Sequence, residues 1–344
     1  MMIYRSKKIL TAILSFLLCS VGALTAQNAQ AQENEPLADE MRNLLKSESF
    51  NVGLLLQSTA DFTLQDDNFN GGNSFGLGAT RLKINGNVDG GFNYNLQMDF
   101  RRSASVFDAA IGYRKSEGFG IKAGLQKPDI GLDLQPNPGN TDFINRARLI
   151  GTILDSRELG VSASGAFDNF DYTVSVFNGT GRSLGNDDHF MFAAKGAFTI
   201  DLENDGTLYL GANGGLNGTE NEPVGFLTSQ GDRLIYGAFL DYESDNWFGA
   251  AELLMSSFET NQLPNDETIS GAYVTVGNNV TEKDQLLARV DHISYSEADV
   301  SSNLFVLGWN HQATSVISLQ VNALAQFDDN EEYFGLSGSF QFQF

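Results

Sequence analysis

The chain has 344 residues, with 21 Lys+Arg against 43 Asp+Glu and a formal net charge of −22, a balance that argues against nucleic acid as a partner. Its 36 glycines and 26 phenylalanines beside only 6 prolines suit many strands joined by tight turns and one aromatic-rich face. Beyond the first 31 residues no stretch approaches 18 consecutive apolar residues, so spanning helices are excluded and only a closed barrel could cross a bilayer.

In chain order, Arg5, Lys7 and Lys8 precede an apolar run from Ile9 to about Ala26, and Ala29-Gln30-Ala31 offers a small-x-small cleavage site. Residues 1–31 therefore read as a signal peptide. Its removal would leave no cysteine and a net charge of −25, from 18 Lys+Arg against 43 Asp+Glu. Residues 32–49 read as a periplasmic lead-in, and 50–344 as a transmembrane antiparallel up-and-down β-barrel.

Sixteen strands are expected, at 51–64, 74–88, 90–100, 105–116, 118–127, 156–167, 169–178 and 189–201, then 205–216, 231–244, 246–257, 268–278, 283–294, 302–312, 315–326 and 333–344. Within the third, Phe92, Tyr94, Leu96, Met98 and Phe100 alternate with Asn93, Asn95, Gln97, Asp99 and Arg101. One set must face lipid and the other the lumen. Very short turns at Asp89, Glu117, Asp168 and Asp245 alternate with long gaps at 65–73, 128–155, 179–188, 217–230 and 258–267. The short turns mark the periplasmic rim. A barrel of about sixteen strands holds a water channel, whereas one of about eight is filled by its own side chains.

Charge is segregated along the chain. Residues 81–127 hold eight basic and four acidic side chains, whereas 158–344 hold five basic and 27 acidic ones. A charged side chain at the lipid midplane costs roughly 2–4 kcal/mol for Arg or Lys, so Arg81, Lys83, Asp99, Arg101 and Arg114 are expected in the lumen. Fixed charge acts over one Debye length, roughly 8 Å at physiological salt. Acids at loop positions such as Asp187, Asp188, Glu220, Glu222, Asp266, Glu267, Asp328 and Glu331 would therefore line a rim, not a constriction. The expected ion pathway is Arg81, Lys83, Arg101, Arg114, Lys122, Arg146, Arg148 and Arg157, giving a weak-to-moderate anion preference.

The last residues, YFGLSGSFQFQF, place Phe334, Leu336, Phe340, Phe342 and Phe344 on one face and Tyr333, Ser337, Ser339, Gln341 and Gln343 on the other. This ending resembles the terminal strand of bacterial outer-membrane barrels, which implies delivery through the barrel assembly machinery by the Phe344 strand. A second resemblance lies at the fifth strand and its loop: Lys127-Pro128, Gly131, Phe143-x-x-Arg146 and Arg157-x-x-Gly160-Val161 are similar to the signature region of the phosphate-selective porin O and P family. That resemblance implies an outer-membrane homotrimer passing small anions amid lipid and lipopolysaccharide. It also implies that the third long loop, 128–155, folds into the barrel and narrows it. Phosphate selectivity stays open, because a desolvated oxyanion calls for a dense cluster of donors and this chain is poor in lysine.

A barrel serving as a receptor or adhesin would look almost the same in sequence. His292-x-Ser294 would suit an outer-membrane phospholipase-like hydrolase, yet no orienting third residue stands out. Asp66-x-Asn68-x-Asn70-Gly71 begins like a calcium loop, but Leu77 stands where a bidentate Glu is needed. No cofactor or metal is expected.

Overall fold

The computed structural model describes residues 45–64, 69–154, 157–203, 206–218, 220–328 and 331–344; the expected signal peptide and most of the lead-in lie outside them. The strands are β1 (Asn51–Thr63), β2 (Ser74–Val88), β3 (Phe92–Asp99), β4 (Ser105–Ser116), β5 (Phe119–Gln126), β6 (Glu158–Phe167), β7 (Phe170–Phe177), β8 (Met191–Asp201) and β9 (Thr207–Asn217). They continue with β10 (Pro223–Val224), β11 (Leu227–Thr228), β12 (Gln230–Glu243), β13 (Trp247–Glu259), β14 (Glu267–Asn279), β15 (Asp284–Tyr295), β16 (Val300–Gln312), β17 (Ile317–Asp328) and β18 (Glu332–Gln343). Among the described residues, sixteen of these form one closed antiparallel barrel, each paired with its chain neighbour, while β10 and β11 pair only with each other. β1 closes the ring on β18, in register from Leu55↔Gln343 to Thr63↔Gly335, so no strand edge is left to face lipid.

The two faces are sorted as the alternation requires. On β18, Ser337, Ser339 and Gln341 are buried inward and Phe340 is exposed outward, 5% against 53% for neighbours Ser339 and Phe340. Val274, Val276, Val290, Phe305 and Leu307 stand exposed on the same outer surface. In water such a surface would be a liability, but against acyl chains it is the stable arrangement. Aromatic pairs gather toward both ends, Phe62–Phe75 and Phe327–Phe334 near one rim and Phe92–Tyr113 and Phe170–Phe198 near the other.

All sixteen expected strands are present, with ends displaced by a few residues. The third begins at Phe92 because Asp89–Gly91 form a 3-10 turn. Asp168 turns the β6–β7 hairpin with φ 50, a left-handed geometry that a short polar side chain tolerates. Two features depart from a uniformly irregular set of loops. The gap after β9 contains the small hairpin β10–β11, whose Val224 and Leu227 are buried. The segment after β5 contains one short helix, α1 (Arg148–Ile153).

The lumen also departs from the expectation of an evenly polar lining. Inward side chains of β7, β8 and β12–β15, among them Phe177, Met191, Ile235, Leu254, Ile269 and Ile293, bury themselves against Ile130, Leu134, Leu149, Ile150 and Ile153 of the segment after β5. One side of the barrel is therefore packed with apolar side chains. Val290→Arg, on the outer face of β15, should lower stability by about 2–4 kcal/mol, read from urea unfolding in lipid vesicles. Ser164→Arg, facing the wet lumen, should leave the midpoint within scatter.

Candidate permeation pathway

Residues 127–154 enter the barrel and are held there by side chains of its wall. Lys127 Nζ donates to the carbonyl oxygens of Leu134, Gln135 and Pro136 at 2.9, 2.6 and 2.9 Å, winding the chain around one ammonium. Gln135 closes the same turn through the carbonyls of Pro128, Ile130 and Gly131. The farther stretch is tied to β16–β18: Asn310 donates to Asp142 O, Gln320 to Thr141 O and Gln341 to Gly139 O, and Asn322 accepts the amide of Ile144. An inward loop must find partners for backbone groups that water no longer reaches, and this wall supplies them.

Carboxylates do the same work at the apolar side. Glu252 on β13 accepts the amides of Leu132 and Asp133, at 2.7 and 3.4 Å. Asp133 accepts the amide of Ala147 at 2.6 Å and lies 3.5 Å from Arg289. Asp291 on β15 accepts the amide of Arg148 at 2.7 Å and pairs with its guanidinium at 3.2 Å; Arg148 also donates to Ser302. Arg233 donates to the carbonyl of Ile153 and pairs with Glu222 at 2.8 Å. Gly271 on β14 leaves the space that Leu149 occupies, since a Cβ there would collide with the Leu149 side chain.

The acids are thus engaged in the scaffold. Glu222 and Glu267, expected on the rim, are buried: Glu222 holds Arg233, and Glu267 accepts the amides of Thr268, Glu297 and Ala298. Asp187, Asp188 and Glu220 do sit exposed in the loops.

Among the described residues, four cavities lie within the barrel; one of about 540 Å³ and one of about 890 Å³ face β15–β18 and the short turns beside them, and two others lie along the basic wall. An outer one of about 1020 Å³ reaches the rim of the long loops and is lined by Arg81, Lys127, Arg146, Arg148 and Arg157, with Asp328 and Glu331 at its lip. An inner one of about 350 Å³ leads toward the short turns and is lined by Lys83, Arg114, Lys122 and again Lys127, with Asp108 and Asp129. Seven of the eight basic residues selected from sequence therefore line these two spaces. The eighth, Arg101, lies on the connection between β3 and β4, 3.2 Å from Asp99, which Arg81 also approaches at 3.2 Å.

Among the described residues, Lys83, Arg114, Lys122, Lys127 and Arg146 have no carboxylate at ion-pair distance. Arg157 pairs with Asp108 at 2.6 Å. Arg148 is neutralised by Asp291, so its part is to fasten the loop as much as to line the water.

Sequence reading left Lys127 and Arg182 out of the pathway and gave Phe107 no part. Gln97 faces Asp108 and Met98 faces Val106, so Phe107 is the extra residue of a β-bulge and joins Asp108 on the luminal side. Its ring carries three guanidinium groups, Arg81 at 4.5 Å, Arg182 at 4.7 Å and Arg157 at 5.4 Å. Strict alternation would have supplied only Asp108, which is why the platform was invisible in the pattern. His292 lies on the outward-facing parity of β15, with Nδ1 2.9 Å from Asn303 Oδ1 on the neighbouring strand.

The model of the family described as phosphate-selective porin O and P matches residues 50–225, which is 176 of the chain's 344 residues. The chain belongs to that family. It is a bacterial outer-membrane channel for small solutes. The match runs from the first strand through the inward loop and the basic wall to the β10–β11 hairpin. No curated protein matches this porin in sequence. Solved structures share its fold at low identity. OmpT of Vibrio cholerae in a trimer form is 14% identical with a TM-score of 0.66, covering 86% of this chain and 99% of that one. The outer-membrane channel DcaP of Acinetobacter baumannii is 12% identical at 0.63, covering 86% and 97%. Salmonella typhi OmpF, in complex with daunomycin, is 10% identical at 0.62, covering 86% and 97%.

Removing one partner of the Asp291–Arg148 pair should free the helix end of the loop. Asp291→Ala should cost about 3 kcal/mol in unfolding experiments and raise open-channel current noise, because Arg148 is left without its counter-ion. The double variant Arg148→Met, Asp291→Leu should recover part of the stability, because the amide at position 148 still lacks its acceptor.

Proposed function

We propose that this porin passes small anions in preference to cations, along the route Arg146, Arg157, Arg81, Lys127, Lys122, Lys83 and Arg114. The observation that carries this reading is a division of charge: Glu252, Asp291 and Glu222 of the opposite wall are engaged with loop amides or a buried arginine, while five cations on the other side have no carboxylate at ion-pair distance among the described residues. In the two cavities lined by the basic wall, a permeating ion travels within roughly one Debye length, about 8 Å, of these charges. Passive diffusion needs no binding partner for energy; fixed charge beside the path sorts ions by sign.

Phosphate and other oxyanions belong to the class this route would admit, and the three guanidinium groups over Phe107 supply the donor density an oxyanion requires. A homotrimer embedded among lipid and lipopolysaccharide is the proposed assembly, supported by the trimer form of the structurally similar OmpT. Insertion through the barrel assembly machinery by the Phe344 strand is proposed with it. Residues 1–31 are proposed to be removed on export. The hydrolase reading loses support from the outward position of His292 beside Asn303.

In a planar bilayer under a KCl gradient, the reversal potential should report chloride passing more readily than potassium, and added phosphate should reduce the chloride current. Replacing Lys83, Arg114 and Lys122 together by Gln should lower the chloride-to-potassium permeability ratio several-fold. Asp187→Asn, out in the loops, should leave it unchanged. A clear cation preference in the wild-type protein overturns the proposal, and absence of conductance in well-folded protein favours the receptor reading.

A further inference from the structure

The outer cavity is larger than a hydrated inorganic ion requires, and it has two unlike sides. Its volume of about 1020 Å³ falls at the upper end of the range that organic ligands occupy, roughly 300–1,000 Å³. Arg81, Lys127, Arg146 and Arg157 line one side, while Ile150, Leu154, Phe226, Ile293, Tyr295 and Val300 line the other. On that second side Ile150, Ile293 and Tyr295 are buried in the packing under the loop, while Phe226 and Val300 stand exposed, and exposed apolar surface in a wet vestibule is unfavourable unless a solute covers it.

Phe226 is the clearest case. It caps the β10–β11 hairpin between the buried anchors Val224 and Leu227, yet its own side chain is 57% exposed. The hairpin is fixed in place: the amide of Gly225 donates to Thr152 O of α1 at 3.0 Å, and Gly225, at φ 61, has no room for a Cβ against the Tyr295 hydroxyl. Phe226 therefore stacks on Tyr295 with centroids 4.4 Å apart, and the two rings form a ledge on the cavity wall. Asp328 and Glu331 at the lip would repel a carboxylate and turn it inward, toward the cations.

We infer that the outer cavity is a subsite for an amphipathic organic anion, one that sets an aromatic ring on the Phe226–Tyr295 ledge and a carboxylate against Arg146 and Arg157. The inference rests on the anion reading proposed above and adds to it the class of solute. Stacking on an existing aromatic pair and charge-assisted hydrogen bonds to guanidinium act at opposite ends of such a molecule, so both ends are recognised at once.

The test compares benzoate with acetate as blockers of chloride current through the full-length channel in a planar bilayer. Benzoate should block at about tenfold lower concentration than acetate, as one ring contact predicts. Phe226→Ala, which removes an exposed side chain, should abolish that difference while leaving the reversal potential in KCl unchanged; Tyr295→Leu should weaken it. Equal block by benzoate and acetate in an anion-preferring channel overturns the inference and leaves the anion reading standing. A benzoate advantage that survives Phe226→Ala also overturns it, because the ring then binds elsewhere. A cation-preferring channel that benzoate does not block overturns both.

Discussion

Everything distinctive in this barrel depends on a polypeptide segment stored where its own backbone has little access to water. Residues 127–154 bring amides and carbonyls into the lumen, and each must be met by another group. Lys127 meets three carbonyls at the entrance; Glu252 and Asp291 meet amides; Gln320, Gln341, Asn310 and Asn322 meet the remainder along β16–β18. Luminal positions of β12–β18 are therefore chosen by the loop more than by the permeating solute. Apolar side chains at the same face, Ile235, Leu254 and Ile293, complete the seat by burying Leu149, Ile150 and Ile153.

The electrostatics follow from that seat. A strongly acidic chain would be expected to admit cations, but net charge is a property of the whole molecule and selectivity a property of one cross-section. Carboxylates that hold amides or arginines contribute little uncompensated field to the water, and Asp187, Asp188 and Glu220 sit exposed in the outer loops. Lys83 on β2, Arg114 on β4 and Lys122 on β5 have no carboxylate at ion-pair distance among the described residues. The sign of the field along the route is thus a by-product of which wall fastens the loop.

Much of this was legible in the sequence, for a physical reason. A strand exposed to lipid on one face and water on the other must alternate with period two, so sixteen strands could be placed to within a few residues and the lumen-facing arginines assigned by parity. The inward course of the loop after β5 was implied by family resemblance alone. Other features left no periodic trace. Luminal Ile235, Leu254 and Ile269 fall at inward positions, where nothing in the alternation says whether water or a loop side chain will meet them. The hairpin at Val224 and Leu227 is too short for a pattern. Lys127 looks like one more basic residue until the three carbonyls around it are seen, and the burial of Glu222 and Glu267 depends on Arg233 and on backbone amides distant in sequence.

The bulge at Phe107 carries a consequence for how such a channel can change over time. Val106 faces lipid and Asp108 faces the lumen, and both would keep those facings if residue 107 were absent. The added residue is thus a spare position: it presents a side chain to the water without obliging any neighbour to exchange lipid for lumen. Elsewhere on a strand an insertion inverts every facing beyond it and endangers insertion into the membrane. Position 107 is uncoupled from that requirement, so a lineage could try new side chains beside the arginines there while the outer surface of the barrel stays under unchanged selection.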